Sequence, residues 1–298
     1  MESINNKRAA IIGGANMDIC GKPAGELILR DSTPGAVSVQ PGGVGRNIAH
    51  DLRLMGMNVS LITALGGDVY GKALAASCEE LGIDLSLSLS FPDRRSSTYL
   101  YICDGQGNML AAVNDMDITD CITPEALAPR MQMLNSFDAV VIDANLSERT
   151  IAYIAENCTA PLYADAVSCA KAKRLLPVLP RLTAIKVNLM EAKTLSGEQD
   201  AENCAKWLID RGIKEVFITL GGEGIFAADK SGCVCFPAGR VTVVNTNGAG
   251  DAVTAAIVAA KTAGASLRGA AYTAIRAGKI AVSAESTNPA ELAGLWNE

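Results

Sequence analysis

The chain has 298 residues, 49% of them apolar, with a net charge of −6 and one histidine. That size and composition predict a folded chain of one large or two ordinary domains with a sizeable core, and exclude a disordered one. Because 26 basic residues face 32 acidic ones without a basic block, nucleic acid is not an expected partner, and a multi-histidine metal site is impossible.

Lys7 to Gly14 reads as a buried strand ending in a glycine turn. Residues 20–41 carry scattered glycines and prolines, as small exposed strands do. The spacing predicts helices over Gly45–Met55, closed by Gly56, and over Gly71–Leu81, closed by Gly82, with a strand at Val59–Leu65 between them. Ser97–Ile102 and Met109–Val113 read as a hairpin about an Asp104-Gly105 turn. Beyond residue 118, apolar strands recur at Ala139–Ile142, Leu162–Ala164, Ala184–Val187 and Val216–Thr219, with helical stretches between them. This alternation implies a mainly parallel sheet covered on both faces. Cys233–Pro237 and Val241–Val244 read as two late strands, and the Ala-rich C-terminal third reads as helix. The expected organisation is a single α/β domain over 1–298 with a strand-rich lid built from roughly 16–41 and 95–115.

No apolar run reaches the ~18 residues of a membrane-spanning helix, and the N-terminus lacks a signal-peptide plan, so a cytoplasmic protein without a membrane partner is expected. Nine irregularly spaced cysteines, with no C-x-x-C, read as small buried hydrophobes of a reducing compartment. Cys233 and Cys235 belong on one face of one strand. His50, in the helical stretch Ala49-His50-Asp51-Leu52, reads as a surface or helix-packing residue.

The strongest motif is Asn245-Thr246-Asn247-Gly248-Ala249-Gly250-Asp251, set before the apolar helical run Val253–Ala265. Amides at a helix start are unpaired and sit at the positive end of the helix dipole, which suits a phosphate. Asp251 on the first turn can take a proton from an incoming hydroxyl. Alone, the stretch reads equally as a tight turn. Four further elements each have a purely structural alternative. Pro41-Gly42-Gly43-Val44-Gly45-Arg46-Asn47 lets backbone approach a ligand and sets Asn47 to bind a hydroxyl, or is a strand-to-helix turn. Asn16 and Asp18, after the first strand, suit vicinal sugar hydroxyls, or form an Asx turn. Asn188 and Glu191 share a helix face and could organise a hydrated Mg²⁺, or form a capping box. Thr219, Gly221 and Gly224 shape a turn fit for a nucleotide, or an ordinary hairpin. The stretch Gly66–Ala73 nearly matches a P-loop but has Ala73 where a hydroxyl is needed.

In this order the motifs resemble the ribokinase-like carbohydrate kinase family over essentially the whole chain, and within it the pseudouridine-kinase subgroup. Asp31-Ser32-Thr33-Pro34-Gly35, Asn114-Asp115-Met116, Asp143-Ala144-Asn145, Asp165-Ala166-Val167-Ser168 and Glu285-Ser286-Thr287-Asn288-Pro289 carry the narrower likeness. The resemblance implies a three-layer α/β sandwich with a small β lid, and transfer of a phosphoryl group from ATP to the 5′-hydroxyl of a nucleoside, pseudouridine first. Another nucleoside or ribose is the alternative acceptor. Asp251 would be the base, and the amides of Gly248, Ala249 and Gly250 the anion hole. Asn16, Asp18, Gly42, Gly43 and Asn47 would hold the ribose, with Thr98 and Asn114 approaching the base from the lid. Asn188, Thr219, Gly221, Gly224 and Lys279 would line the ATP site, and Asn188 with Glu191 would organise Mg²⁺. Asn245 stands where many members have an Asp beside a monovalent cation, so the resemblance leaves K⁺ dependence open. Asp165 and Lys171 match the subgroup without an assigned role. Exposed lid edges predict a homodimer through the lid. A silent nucleoside sensor is the alternative of another class, and the intact Asp251 argues against it.

Overall fold

The computed structural model describes residues 4–104 and 109–296. The expected Asp104-Gly105 turn therefore runs into residues 105–108, outside the described ones.

The first strand, β1 (Arg8–Ile12), leads into β2 (Asn16–Pro23) and β3 (Gly35–Gly42). Then follow α1 (Val44–Leu54), β4 (Asn58–Ile62), β5 (Ala64–Gly66), α2 (Val69–Glu80), β6 (Leu89–Phe91), β7 (Thr98–Cys103) and β8 (Met109–Asp115). The second half holds β9 (Ala139–Asp143), α3 (Glu148–Asn157), β10 (Leu162–Asp165), β11 (Ala184–Asn188), α4 (Leu189–Ser196), α5 (Ala201–Asp210) and β12 (Glu215–Thr219). It closes with β13 (Ile225–Asp229), β14 (Gly232–Phe236), α6 (Ala249–Thr262) and α7 (Leu267–Ser283). None of the described helices is long and apolar enough to cross a membrane.

The central sheet has the order β14-β13-β12-β11-β10-β9-β1-β4. Its strands from β4 to β12 are parallel, and β13 and β14 continue it antiparallel. In the parallel part alternate residues face opposite sides and both sides are buried. Ala9, Ile11, Ala139 and Val141 join one core with α1, α2, α6 and α7, while Ala10, Ile12, Val140 and Ile142 join the other with α3, α4 and α5. That two-sided burial is why these strands read as unbroken apolar runs. Helix α6 is buried on nearly every side from Asp251 to Ala260. Its alanines let α1 and α7 pack closely against it.

The expected α/β sandwich with a strand lid is therefore the observed fold. The lid is a separate sheet of order β3-β2-β7-β8, antiparallel except for the parallel β2–β7 pair. One expected strand is absent. Val241–Val244 is loop, and the late antiparallel pair is instead β13 with β14. The amides of Val244 and Asn245 both donate to the Val282 carbonyl (2.8 and 3.3 Å) at the end of α7, so they have no ladder to join. The near P-loop is structural: Asp68 caps α2 by accepting from the Gly71 amide and also binds Ser96. His50 is half-buried on α1, and burial followed by the nearby Arg46 charge lowers its imidazole to about 4. All nine cysteines are free thiols, and five of them are less buried than expected, with Cys233 and Cys235 exposed on β14.

Candidate active site

Polar residues gather where the parallel strands end. Asp143 closes β9, Asp165 β10, Asn188 β11, and Thr219 β12, with Asn188 and Thr219 facing each other across the ladder. Strand order reverses between β1 and β9, the crevice where open α/β sheets bind ligands. There the buried Asp143 takes the Gly14 amide (2.8 Å) and the Asn145 amide (2.9 Å). Burial raises its carboxyl above the usual range.

Helix α6 points its first turn at this edge. Gly248, its N-cap, is in the left-handed region (φ 75°), and a side chain there would strike Thr287. The amides of Gly248, Gly250 and Asp251 meet no protein acceptor among the described residues, and that of Ala249 makes only a long bond to the Thr246 carbonyl (3.5 Å). Such a turn offers several donors and the dipole's positive end to one anion. Asp251 is buried, and its Oδ2 accepts from Asn47 Nδ2 at 2.9 Å. Burial and the neighbouring Asp165 push its carboxyl up to about 7, against the opposing pull of Asn47 and Lys186. A carboxylate poised there is suited to accept a proton near neutral pH.

Asn47 ties the first glycine element to the second. It sits on α1, whose N-cap Gly43 has φ 100°. Gly42, at the end of β3, pairs with Asn16 at the start of β2. Asn16 donates to Asp18 (2.6 Å), and burial raises the Asp18 carboxyl. Among the proposed ribose-holding residues, Asn16 with Asp18 and Gly42 with Gly43 thus stand together at the lid's root, and Asn47 lies on the adjoining helix. The two lid residues part company. Asn114 is opposite Tyr99, which pairs with Asp18, whereas Thr98 is opposite Asp115 and Met17. Alternation then sets Asn114 on the Asp18 face of the lid and Thr98 on the other.

Asn188 and Glu191 form a complete capping box: Asn188 Oδ1 takes the Glu191 amide (2.9 Å) and Glu191 Oε2 takes the Asn188 amide (2.8 Å). The structural alternative for this pair is therefore realised. The box engages one Glu191 oxygen, and burial raises its carboxyl against the pull of Lys186. One carboxylate suits Mg²⁺, which keeps waters and shares substrate phosphates, and no group of three or more acidic, Cys or His residues among the described ones competes as a metal cage. Gly221–Glu223 forms a short 3₁₀ turn between β12 and β13, so the hairpin alternative for this stretch is also realised. Lys279, on α7, has its ammonium against the loop at Gly239. Asn245 Nδ2 donates to the Glu285 carbonyl (3.0 Å).

Residues 6–292 match the pfkB family of carbohydrate kinases. The chain belongs to that family. It is similar to a pseudouridine kinase of Escherichia coli (strain K12), 35% identical over 95% of this chain and 92% of the relative. Among solved structures it is similar to a carbohydrate kinase from Agrobacterium tumefaciens, with a TM-score of 0.85, 29% identity, and 95% and 92% of the two chains covered. An Arabidopsis thaliana ribokinase complexed with ribose and ATP shares the fold (TM-score 0.83, 18% identity, 95% of each chain). This pfkB family member is an ATP-dependent sugar or nucleoside kinase.

Three groups at this edge had no role in the sequence reading: Asp165, Lys186 and Thr254. Lys186 Nζ is 2.9 Å from Asp165 Oδ2. Thr254 Oγ1 donates to the same oxygen at 2.6 Å. A signal for Asp165 was present, since a carboxylate ending an apolar strand is out of keeping with its run. None existed for Thr254, which looks like any helical threonine.

Proposed function

We propose that this kinase transfers the γ-phosphoryl group of ATP to the ribose 5′-hydroxyl of pseudouridine. The observation that carries the reading is the buried Asp251 beside a turn of open amides, held by Asn47 from the other glycine element. The similarity to a pseudouridine kinase supports the acceptor.

In this reading Asn16 and Asp18 fix the ribose, and Asn114 meets the base from the lid face it shares with Asp18. Asp251 takes the 5′-hydroxyl proton as the oxygen attacks the γ-phosphorus. The new O–P bond forms while the bond to the β-phosphate oxygen breaks, giving ADP and the 5′-phosphate. The amides of Gly248, Ala249 and Gly250 stabilise charge on the equatorial oxygens. Thr219, Gly221, Gly224 and Lys279 line the nucleotide. Mg²⁺, held through Asn188 and Glu191, would offset charge on the phosphates. A lid closed over the sugar excludes water and so limits ATP hydrolysis.

The outer lid face carries Val37, Val39, Leu100, Ile102 and Val113, all exposed. A second copy covering that face makes the protein a homodimer through its lid. Free thiols throughout agree with a cytoplasmic setting.

Mixing the protein with ATP·Mg²⁺ and a panel of nucleosides and ribose, and following ADP release, tests the assignment. Fastest turnover with pseudouridine is expected. Turnover of ribose but not pseudouridine would move the protein to the alternative acceptor. Titrating K⁺ in the same assay decides the cation question, and the Asn245 amide predicts a weak response.

A further inference from the structure

Beneath the first turn of α6 lies a buried ion pair that the mechanism above does not use. Lys186, near the end of β11, and Asp165, at the end of β10, are almost wholly shielded from solvent. A buried pair of this kind costs desolvation of both ions and is weak support for stability. What distinguishes it is how completely Asp165 is used. Its Oδ1 takes the Val167 amide at 2.9 Å. Its Oδ2 takes both Lys186 Nζ (2.9 Å) and Thr254 Oγ1 (2.6 Å). Thr254 Oγ1 also lies 3.1 Å from the Gly250 carbonyl, the alternative acceptor for its single proton, so the same hydroxyl sits against the turn that presents the amides. Lys186 Nζ stands 3.0 Å from where a side chain at position 250 would begin. The turn that follows Asp165 is strained: Val167 has φ 65°, a conformation that a β-branched residue rarely adopts. Such strain persists where its surroundings over-determine it, characteristically at functional sites.

We propose that Asp165 is a positioning residue for phosphoryl transfer, joining Lys186 and Thr254 so that the α6 turn and Asp251 keep a fixed place and a fixed electrostatic environment. The inference rests on the kinase reading of Asp251. The charged groups that act on that carboxyl are Asp143 on β9, Asp165 on β10, Lys186 on β11 and Asp51 on α1, and Glu191 on α4 acts in turn on Lys186. Asp165 and Lys186 act on it in opposite senses. Removing one therefore does more than loosen the fold; it moves the proton affinity of Asp251 in a direction set by which charge is lost.

The test is a carboxyl ¹³C NMR titration of the nucleotide-free protein, with the Asp251 signal identified by its loss in Asp251→Asn. This readout needs no turnover, so a failed nucleoside panel sinks the kinase reading while the titration still decides this one. Asp165→Asn should lower the Asp251 midpoint, and Lys186→Met should raise it, each by about one pH unit or more, the scale of a nearby charge. The double variant should fall between the two. Thr254→Val keeps both charges, so the midpoint should stay while kcat drops about tenfold. Midpoints that do not move in folded single variants, or that move in the same direction, overturn the proposal. Should the single variants not fold, the charge-neutral double variant decides: a kcat reduced about tenfold or more with nucleotide binding retained supports it, and an unchanged kcat refutes it.

Discussion

The central sheet and the lid are built from the same backbone ladders but meet water differently. In β9, β10 and β11 both faces are sealed, and polar side chains appear at the carboxyl ends. In the lid, one face carries Asp18, Gln40, Tyr99 and Asn114, and the other carries Val37, Val39, Leu100 and Val113 in the open. The first arrangement makes a rigid base on which charges are held by several bonds each. The second makes a thin cover with a wet inner face and a greasy outer one. On the proposed reading the chain separates holding the reacting groups from admitting the substrate, and uses a different sheet for each.

That contrast can be broken from either side. The largest effect should come from Asp251→Asn, which leaves the Asn47 contact possible but removes the base. Turnover should fall roughly 10²-fold or more, the scale of general base catalysis, with nucleoside binding kept; unchanged turnover in a steady-state assay would remove Asp251 from its role. Next is Ile142→Ala, in the sealed part of β9, which should cost about 2–5 kcal/mol in denaturant unfolding. Gln40→Ala, at an exposed position on the other lid face, should stay within about 0.5 kcal/mol. Equal losses would mean that this face of the lid is not open.

Gly42→Ala probes the seam between the two sheets. A methyl group there would collide with the Asp18 carboxylate, so KM for the nucleoside should rise about tenfold or more while KM for ATP holds. A uniform fall in both would point to misfolding instead. The pH profile is subtler. With Asp251 raised from 3.8 to about 7, kcat/KM should fall about tenfold per pH unit below that midpoint and level off above it. The same shift has the opposite sign for stability. The folded state binds this proton more tightly than the unfolded one, so the contribution is full below 3.8 and lost as pH rises through about 7. The smallest structural change is Leu100→Asp on the outer lid face, expected to yield monomers in sedimentation with little change in melting temperature.

Much of the base was legible in the chain. The largely apolar runs at Ala139–Ile142 and Ala184–Val187 read as strands covered on both faces, and their βα alternation points to parallel pairing. The glycine turn before α6 was readable because missing side chains are themselves a signal. The lid was harder. Thr98 and Asn114 looked alike in the sequence, and a register that no periodicity announces set them on opposite faces. Val241–Val244 has the composition of a strand but no neighbour to pair with, so it became loop. Asn188 and Glu191 carried two readings because a capping box and a metal-organising pair demand the same spacing.

Local order along the chain determined this protein's strands, helix starts and amide-rich turn, since these depend on residues within a few positions of one another. It also determined the family, whose two glycine signatures lie about two hundred positions apart but are each contiguous. Only the tertiary structure decided which distant groups share a site: Asn47 with Asp251, and Asp165 with Lys186 and Thr254. Burial and Coulomb forces act through space and are blind to sequence separation, so the proton affinity of Asp251 belongs to the packed fold and to no segment of it.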